Sequence, residues 1–466
     1  MSLAGTDRRR GETGFRLDLN LCTGCSACEL ACSTENRLAW GHSWRQVLTF
    51  NQAKIPSIST YHLSLACNHC ADAPCLQACP ALAIERDRRT GAVLIRPDLC
   101  IGCRYCSWAC PFDAPRFDSE AQVMTKCTWC HPRLADGRDP ACVEQCPTRA
   151  LTFGSQPGVT LVPGFPDTDA QPAIRFTPLD PQREAGPECS WQVPAEVIDS
   201  FAASRPDTDN PISLRSEWPL WIFTLLASCL VGWVLASIAG LERPEPLRFA
   251  AAVGVAAFTS SLHLGNKLRA WRAVLNLRSS WLSREIVFFS LFVGLSLLHS
   301  AVSEVSLPGL LAGVFGLLTL FSIDRVYDFV RRPTGSRVHS ADTVLTGLLA
   351  AALLLGETPF ALLLLIIKLA LYVGRHTAAA PPGMPQAAWI SWVLRGFRFG
   401  LGIILPILYW MLGFTGSSWI PLAAIALGEM LDRAEFYSEL QARSPRLQIA
   451  SDLLARTTSG VRTGIG

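Results

Sequence analysis

From Trp218 onward the chain is dominated by unbroken apolar runs. Eight of them approach the length needed to cross about 30 Å of hydrocarbon, near 218–240, 247–265, 286–304, 307–323, 342–357, 359–376, 396–413 and 417–432. The shorter runs read as spans because each has a close neighbour with which it forms a hairpin. Upstream the pattern differs in kind. Between Cys22 and Thr152, short segments such as CTGCSAC, CNHCADAPC and CIGCRYC alternate with strand-like pieces such as AVLIR at 92–96. A region so punctuated cannot bury a conventional core and is expected to fold around something bound. Ten prolines between residues 151 and 212 argue for extended, irregular backbone there. The pattern therefore predicts a cysteine-rich domain over 1–153, a Pro-rich extension and linker over 154–215, a membrane domain over 216–440 and a C-terminal tail over 441–466.

Composition sharpens this division. The chain is 50% hydrophobic and 17% charged, against roughly 25% charged in ordinary globular domains. A net charge of +3 is too small to argue for a nucleic-acid partner. Arg8, Arg9 and Arg10 are followed by no apolar stretch of signal-peptide length, so nothing here addresses the N-terminal half for export by itself. With eight spans, the N-terminal domain shares a side with the loops carrying Lys267, Arg269, Arg272, Arg278 and Arg284, then Arg325, Arg331, Arg332 and Arg337, then Arg375, Arg395 and Arg398, and finally Arg433, Arg443 and Arg446. The opposite side offers Arg243 and Arg248. Because cytoplasmic loops retain Lys and Arg, the expectation is a multi-pass protein of a bacterial inner membrane with its cysteine domain in the cytoplasm.

Sixteen of the 18 cysteines lie between Cys22 and Cys146, in four groups of four. The groups are Cys22, Cys25, Cys28 and Cys32; Cys67, Cys70, Cys75 and Cys79; Cys100, Cys103, Cys106 and Cys110; and Cys127, Cys130, Cys142 and Cys146. Three cysteines within a seven-residue turn converge on three corners of an iron–sulfur cube, and in two-cluster ferredoxins the fourth serves the neighbouring cube. Pro80, Pro111 and Pro147 follow the last cysteine of groups two to four, as the bacterial ferredoxin run expects, whereas Ser33 follows group one. Structural zinc needs four tetrahedral ligands, usually two separated pairs, and has no use for a third packed cysteine. Disulfides require an oxidising compartment. Four [4Fe-4S] clusters are the simplest count, and a row of them is an electron wire. Cys189 and Cys229 match no group.

Ionisable residues inside a span are costly, about 2.5–3.5 kcal/mol on insertion scales. His263 ends the second expected span and Glu285 opens the third, on the cluster side. An imidazole and a carboxylate there could bind a quinone head group, menaquinone or ubiquinone, and exchange protons as electrons pass to a cube. The plainer alternative is that His263 caps its helix and Glu285 sits at a helix N-terminus, where negative charge is favoured. Lys368 is mid-span, and Glu429, Asp432 and Arg433 suggest a satisfied polar cluster with no assigned chemistry. No P-loop, GxSxG or HExxH motif occurs.

The four cysteine groups, in this order, resemble the four-cluster electron-transfer subunit of anaerobic dimethyl sulfoxide reductase and its molybdoenzyme relatives. SEWPLWIFTLLASCLVG (216–232), LHLGNKLRAWRAVLNLRSS (262–280), SREI (283–286), RVY (325–327) and GEMLDRAEFY (428–437) resemble that enzyme's eight-helix membrane anchor. The chain thus looks like a fusion of the two. The resemblance implies an N-terminal α+β double bacterial-ferredoxin-like domain and a C-terminal all-α bundle of eight transmembrane helices. It pairs the first group with the fourth and the second with the third, giving cubes held by Cys22, Cys25, Cys28 and Cys146; by Cys67, Cys70, Cys75 and Cys110; by Cys100, Cys103, Cys106 and Cys79; and by Cys127, Cys130, Cys142 and Cys32. His263 matches the family's quinol-site histidine, and Glu285 its functional glutamate. A separate catalytic subunit with a molybdenum bis-pterin (molybdopterin) cofactor is implied as partner, besides membrane lipid and quinone. The expected function is electron transfer between the quinone pool and that subunit in anaerobic respiration. The archetype of the family faces the periplasm, whereas the loop charges here favour the cytoplasm, as in sulfite-oxidising complexes of similar three-part build. A sulfite:quinone oxidoreductase subunit is therefore the alternative within the class. A membrane transporter with a zinc-stabilised domain is the alternative outside it.

Overall fold

The computed structural model describes residues 13–462 apart from 40–42, 56–57, 156–160, 185–211, 213, 215, 302–306, 331–338, 378–394, 413–418 and 441. They form two compact units, 13–184 with 442–462, and 212–377 with 395–440.

The first unit is organised by one small sheet. Strand β1 (Thr13–Asp18) alternates buried Phe15 and Leu17 with outward Arg16, the period of a half-buried strand. It pairs antiparallel with β8 (Leu151–Ser155) and parallel with β9 (Ile174–Thr177). The Pro-rich segment therefore returns a strand to the N-terminal sheet. Three short antiparallel hairpins follow β1 in sequence, β2 (Gln46–Phe50) with β3 (Tyr61–Leu65), β4 (Ile84–Arg86) with β5 (Val93–Ile95), and β6 (Arg116–Asp118) with β7 (Val123–Thr125). Short helices carry the cysteines: α1 (Ala27–Glu35), α2 (Pro74–Ala78), α3 (Tyr105–Ala109) and α5 (Ala141–Glu144), with α4 (His131–Ala135) just after Cys130 and α6 (Pro181–Glu184) near the end. Helix α1 packs on α5, and α2 on α3.

In the second unit α7 (Trp218–Ile238), α8 (Pro246–Ser261), α9 (Trp281–Ala301), α10 (Leu307–Val326), α11 (Thr343–Leu355) and α12 (Thr358–Thr377) follow in sequence, with a 3-10 segment at Lys267–Val274. A π turn at Gly400–Ile404 runs into α13 (Leu405–Met411), and α14 (Trp419–Glu439) closes the unit. Helix α9 packs on α10, α7 on α11, α8 and α10, and α14 on the π turn. Gly402 and Gly428 permit that last approach, since a Cβ on Gly402 would lie 2.7 Å from the Cα of Gly428.

Among the described residues, four helices are long and apolar enough to cross a membrane, namely Trp218–Ile238, Trp281–Ala301, Leu307–Phe329 and Thr358–Arg375. They match four of the eight expected spans. The other four coincide with helices that are short, distorted or charged: α8 has 16 residues and α11 has 13, the continuous helical run from residue 395 to Met411 carries the π turn and Arg395 and Arg398, and α14 contains Glu429, Asp432, Arg433 and Glu435.

The expected C-terminal tail contains helix α15 (Pro445–Arg462), which belongs to the first unit. Asp452 accepts a 2.6 Å hydrogen bond from the Gly164 amide, Arg456 lies over the Phe50 ring and Ile449 is buried.

Candidate functional site

The cysteine loops are shaped by their backbone. In Cys22–Cys28 and Cys100–Cys106 the same two positions are left-handed, Gly24 with Ser26 and Gly102 with Arg104, at φ between 59° and 71°. Such reversals turn successive amides inward and create a concavity suited to an anionic iron–sulfur group. Glycine takes the first position without strain. The Gly102 amide donates to Cys100 Sγ at 3.4 Å, and the Trp129 amide to Cys127 Sγ at 3.4 Å.

The packing of α1 on α5 and of α2 on α3 brings cysteines together across groups. Cys22 has Cys28, Cys146 and Cys25 as neighbouring thiols. Cys70 has Cys67, Cys110 and Cys75. Cys106 has Cys103, Cys79, Cys75 and Cys100. Cys130 and Cys127 each have Cys32 as a neighbour, and Cys127 also has Cys142. Cys25 is exposed, Cys22, Cys103 and Cys146 are half-buried, and the other twelve of the sixteen are buried. Cys229 is an exposed thiol on α7, and Cys189 lies outside the described residues.

Three features of the donor set fit an iron–sulfur group. First, burial pushes the thiols of Cys70, Cys75, Cys103, Cys106, Cys110 and Cys127 up, Cys75 and Cys103 to about 12, and neighbouring cysteines push them further. Thiols so placed become thiolates only around a multivalent cation. Second, among the described residues, buried N–H groups close to the cysteine loops have no acceptor: Nε and Nη2 of Arg45, Nε2 of His69 and Nε1 of Trp129. His69 Nδ1 accepts from the Val93 amide at 2.9 Å, so its neutral ring carries its hydrogen on Nε2, as a donor. An iron–sulfur group held by these loops would supply acceptors. Third, among the described residues no three cysteine, histidine or carboxylate side chains close on a point as a single metal ion requires, the arrangement a structural zinc site needs. The residues fit a cluster better than one ion.

In the second unit His263 is half-buried in the turn after α8, with its Nδ1–H donating to the Ser260 carbonyl. Glu285 is buried one turn inside α9, which begins at Trp281 rather than near residue 286. Its charged neighbour is Asp324 on α10. Among the described residues no hydrogen bond or ion pair joins Glu285 to His263.

Lys368, the mid-span lysine, is fully buried and pairs with Glu429 at 3.1 Å. Glu429 also meets Arg398 at 3.3 Å, and Asp432 meets Arg375 at 3.0 Å and Arg398 at 3.3 Å. Arg395 pairs with Glu435 at 2.6 Å. Arg433 donates to Thr224 and Ser228 of α7 at 3.0 and 3.2 Å. The expected polar cluster at the last helix end therefore exists, but its members reach other parts of the bundle, including Thr346 of α11 and Ser340, instead of one another. Sequence reasoning missed Arg45, Lys126 and His69. A buried cation has no periodic signature, and each lies beside a cysteine or strand whose own pattern dominates.

Two family models match the chain. One is a 4Fe-4S dicluster domain, over residues 58–156, and the other is the DMSO reductase anchor subunit (DmsC), over residues 213–380. The N-terminal part is similar to the probable anaerobic dimethyl sulfoxide reductase chain YnfG of Escherichia coli (strain K12), 43% identical over 149 residues, covering 30% of this chain and 72% of the relative. It is 42% identical over 149 residues to the B chain of anaerobic dimethyl sulfoxide reductase from the same organism, with the same coverage. It is 36% identical over 180 residues to the B subunit of the sulfite dehydrogenase of Allochromatium vinosum, covering 34% of this chain and 72% of the relative.

Proposed function

The chain belongs to the iron–sulfur subunit family of anaerobic dimethyl sulfoxide reductase, joined here to an anchor of the same enzyme, and from that premise we propose that it carries electrons through four [4Fe-4S] clusters between membrane quinone and a molybdopterin catalytic subunit. The observation that carries the proposal is the crossing of cysteines between groups, which gives each of four sites ligands from two loops. Cys22, Cys25, Cys28 and Cys146 hold one cluster, and Cys67, Cys70, Cys75 and Cys110 the second. Cys79, Cys100, Cys103 and Cys106 hold the third, and Cys32, Cys127, Cys130 and Cys142 the fourth. A bound cluster supplies one-electron storage at a potential that its surroundings tune. The exposed and half-buried cysteines of the first group suit it to exchange with a docked partner.

His263 and Glu285 bind and deprotonate the quinol. With Nδ1 committed to the Ser260 carbonyl, the neutral imidazole presents Nε2 as the proton acceptor. The domain boundaries are 1–153, 154–215, 216–440 and 441–466 at the level of sequence pattern, with eight membrane crossings. An even number is supported by the chain itself, since residues on both flanks of the second unit belong to the first. The cluster domain faces the cytoplasm, supported by the excess of Lys and Arg in the loops on its side. That asymmetry, with the likeness to a sulfite dehydrogenase subunit, favours a second reading in which a sulfite-oxidising partner delivers electrons to quinone.

The test is an anaerobic preparation assayed for iron, acid-labile sulfide and zinc, followed by reduction with a quinol analogue. About sixteen iron and sixteen sulfide per chain are expected; stoichiometric zinc in their place overturns the proposal. His263→Ala is expected to abolish quinol-driven reduction of the clusters while dithionite still reduces them, and unimpaired quinol reduction removes the assignment of His263.

A further inference from the structure

We propose that two buried cations, Arg45 and Lys126, raise the reduction potentials of three clusters selectively: Arg45 acts on the first and fourth cysteine sites, Lys126 on the second and fourth, and neither on the third. The inference rests on the four-cluster reading above. Arg45, just before β2, is 1% exposed. Its Nη1 donates to the Ser64 carbonyl at 2.9 Å and to Ser64 Oγ at 3.1 Å, and that hydroxyl lies 3.2 Å from Cys28 Sγ. The Phe15 ring covers the guanidinium at 4.3 Å. Among the described residues, Nε and Nη2 have no hydrogen-bond partner. The thiols around it are Cys142, Cys28, Cys127 and Cys32, members of the first and fourth sites.

Lys126 is 2% exposed, between β7 and Cys127. Its Nζ donates to the carbonyls of Val93 and Cys127. Around it stand Cys67 and Cys75 of the second site and Cys127 of the fourth. Among the described residues, no carboxylate pairs with either cation. A full charge buried without a counter-charge is strongly unfavourable, so the negative charge that balances these two must come from liganded clusters.

The third site is built differently. The hollow around Cys79, Cys100, Cys103 and Cys106 is lined by Pro80, Ala83, Ile84, Ile95, Ile101 and Met124. Its electrostatic support is dipolar, from the amides of Ala83, Gly102 and Met124 donating to cysteine sulfurs at 3.3–3.5 Å. Reduction adds one electron, taken from dithionite in the experiment below, to a cluster that already carries net negative charge with its four thiolates. No bond is made or broken. A neighbouring cation stabilises the more negative, reduced form, and an apolar wall does the opposite.

The experiment is EPR-monitored redox titration of the full chain. Arg45→Met, Lys126→Met and the double variant are compared with the charge-preserving Arg45→Lys and Lys126→Arg. Signals are assigned beforehand by a Cys→Ser substitution at one ligand of each site. Arg45→Met is expected to lower the midpoints of the first and fourth clusters by at least tenfold in the reduced-to-oxidised ratio, about 59 mV for a one-electron couple. Lys126→Met lowers the second and fourth, the double variant lowers the fourth most, and the charge-preserving variants return near the starting values. If Arg45→Met loses its clusters, Lys126→Met makes the same test at the second and fourth sites. Midpoints that stay fixed, or that move equally at all four sites, overturn the inference while iron content remains full. Absence of iron from the unsubstituted chain overturns the functional reading instead.

Discussion

Two sets of buried cations, Lys368, Arg375 and Arg398 in the second unit and Arg45 and Lys126 in the first, balance their charge in opposite ways. In the second unit Lys368, Arg375 and Arg398 each meet a carboxylate of α14 within 3.3 Å. In the first, Arg45 and Lys126 donate to carbonyls and a hydroxyl and have thiols around them. One network is closed within the polypeptide, and the other closes only when a cofactor completes it. Ion pairs inside a bundle are a structural device that any folded copy possesses. Cations among thiols make sense only in the loaded protein.

The largest test of this contrast is removal of iron with a chelator under oxidation. The first unit is expected to lose its cooperative unfolding transition, because binding and folding are coupled where ligands have no other core. The second should keep its helical signal, followed by circular dichroism in detergent. A first unit that stays folded without iron would falsify the contrast. Next in size is Glu429→Leu, which leaves Lys368 without its carboxylate. A loss of about 3–5 kcal/mol is expected in the unfolding of the second unit, and Glu429→Leu combined with Lys368→Met should recover at least half of it. An additive double variant would mean that the pair is not coupled. The smallest is Asp452→Ala, which removes the carboxylate hydrogen-bonded to Gly164. It should cost about 1 kcal/mol, read as faster amide exchange along α15 with cluster content unchanged. Unaltered exchange would mean that other contacts hold the helix.

The sites are legible in the sequence to different depths. The spacing of sixteen cysteines announces cubes because ligand geometry is local in sequence. Which group exchanges a cysteine with which is long-range; the family resemblance supplies the proposed pairing, while the structure sets α1 beside α5 and α2 beside α3. Strand β9 is hidden because Pro172 and Pro178 flank it, and proline density reads as irregular backbone. Helix α15 is hidden because its composition is polar, and the residues it touches, Gly164 and Phe50, precede it by almost three hundred and by about four hundred residues. The runs at 247–265 and 342–357 look like full spans in the sequence but form helices of 16 and 13 residues, since apolar composition says nothing of where a helix begins or ends. Lys368 is visible as an anomaly, but its partner Glu429, 61 residues on, is recognisable only as polar.

The return of α15 to the first unit makes this chain interleaved rather than tandem. A protease that cuts once between residues 185 and 211 would not release a soluble cluster fragment from the membrane, since the far end of the anchor is still clasped by the fragment it should have freed. A second cut near residue 441 would also be needed. An artificial gene split that recreates two independent polypeptides must therefore either carry the last helix over to the first product or leave an uncovered patch around Phe50.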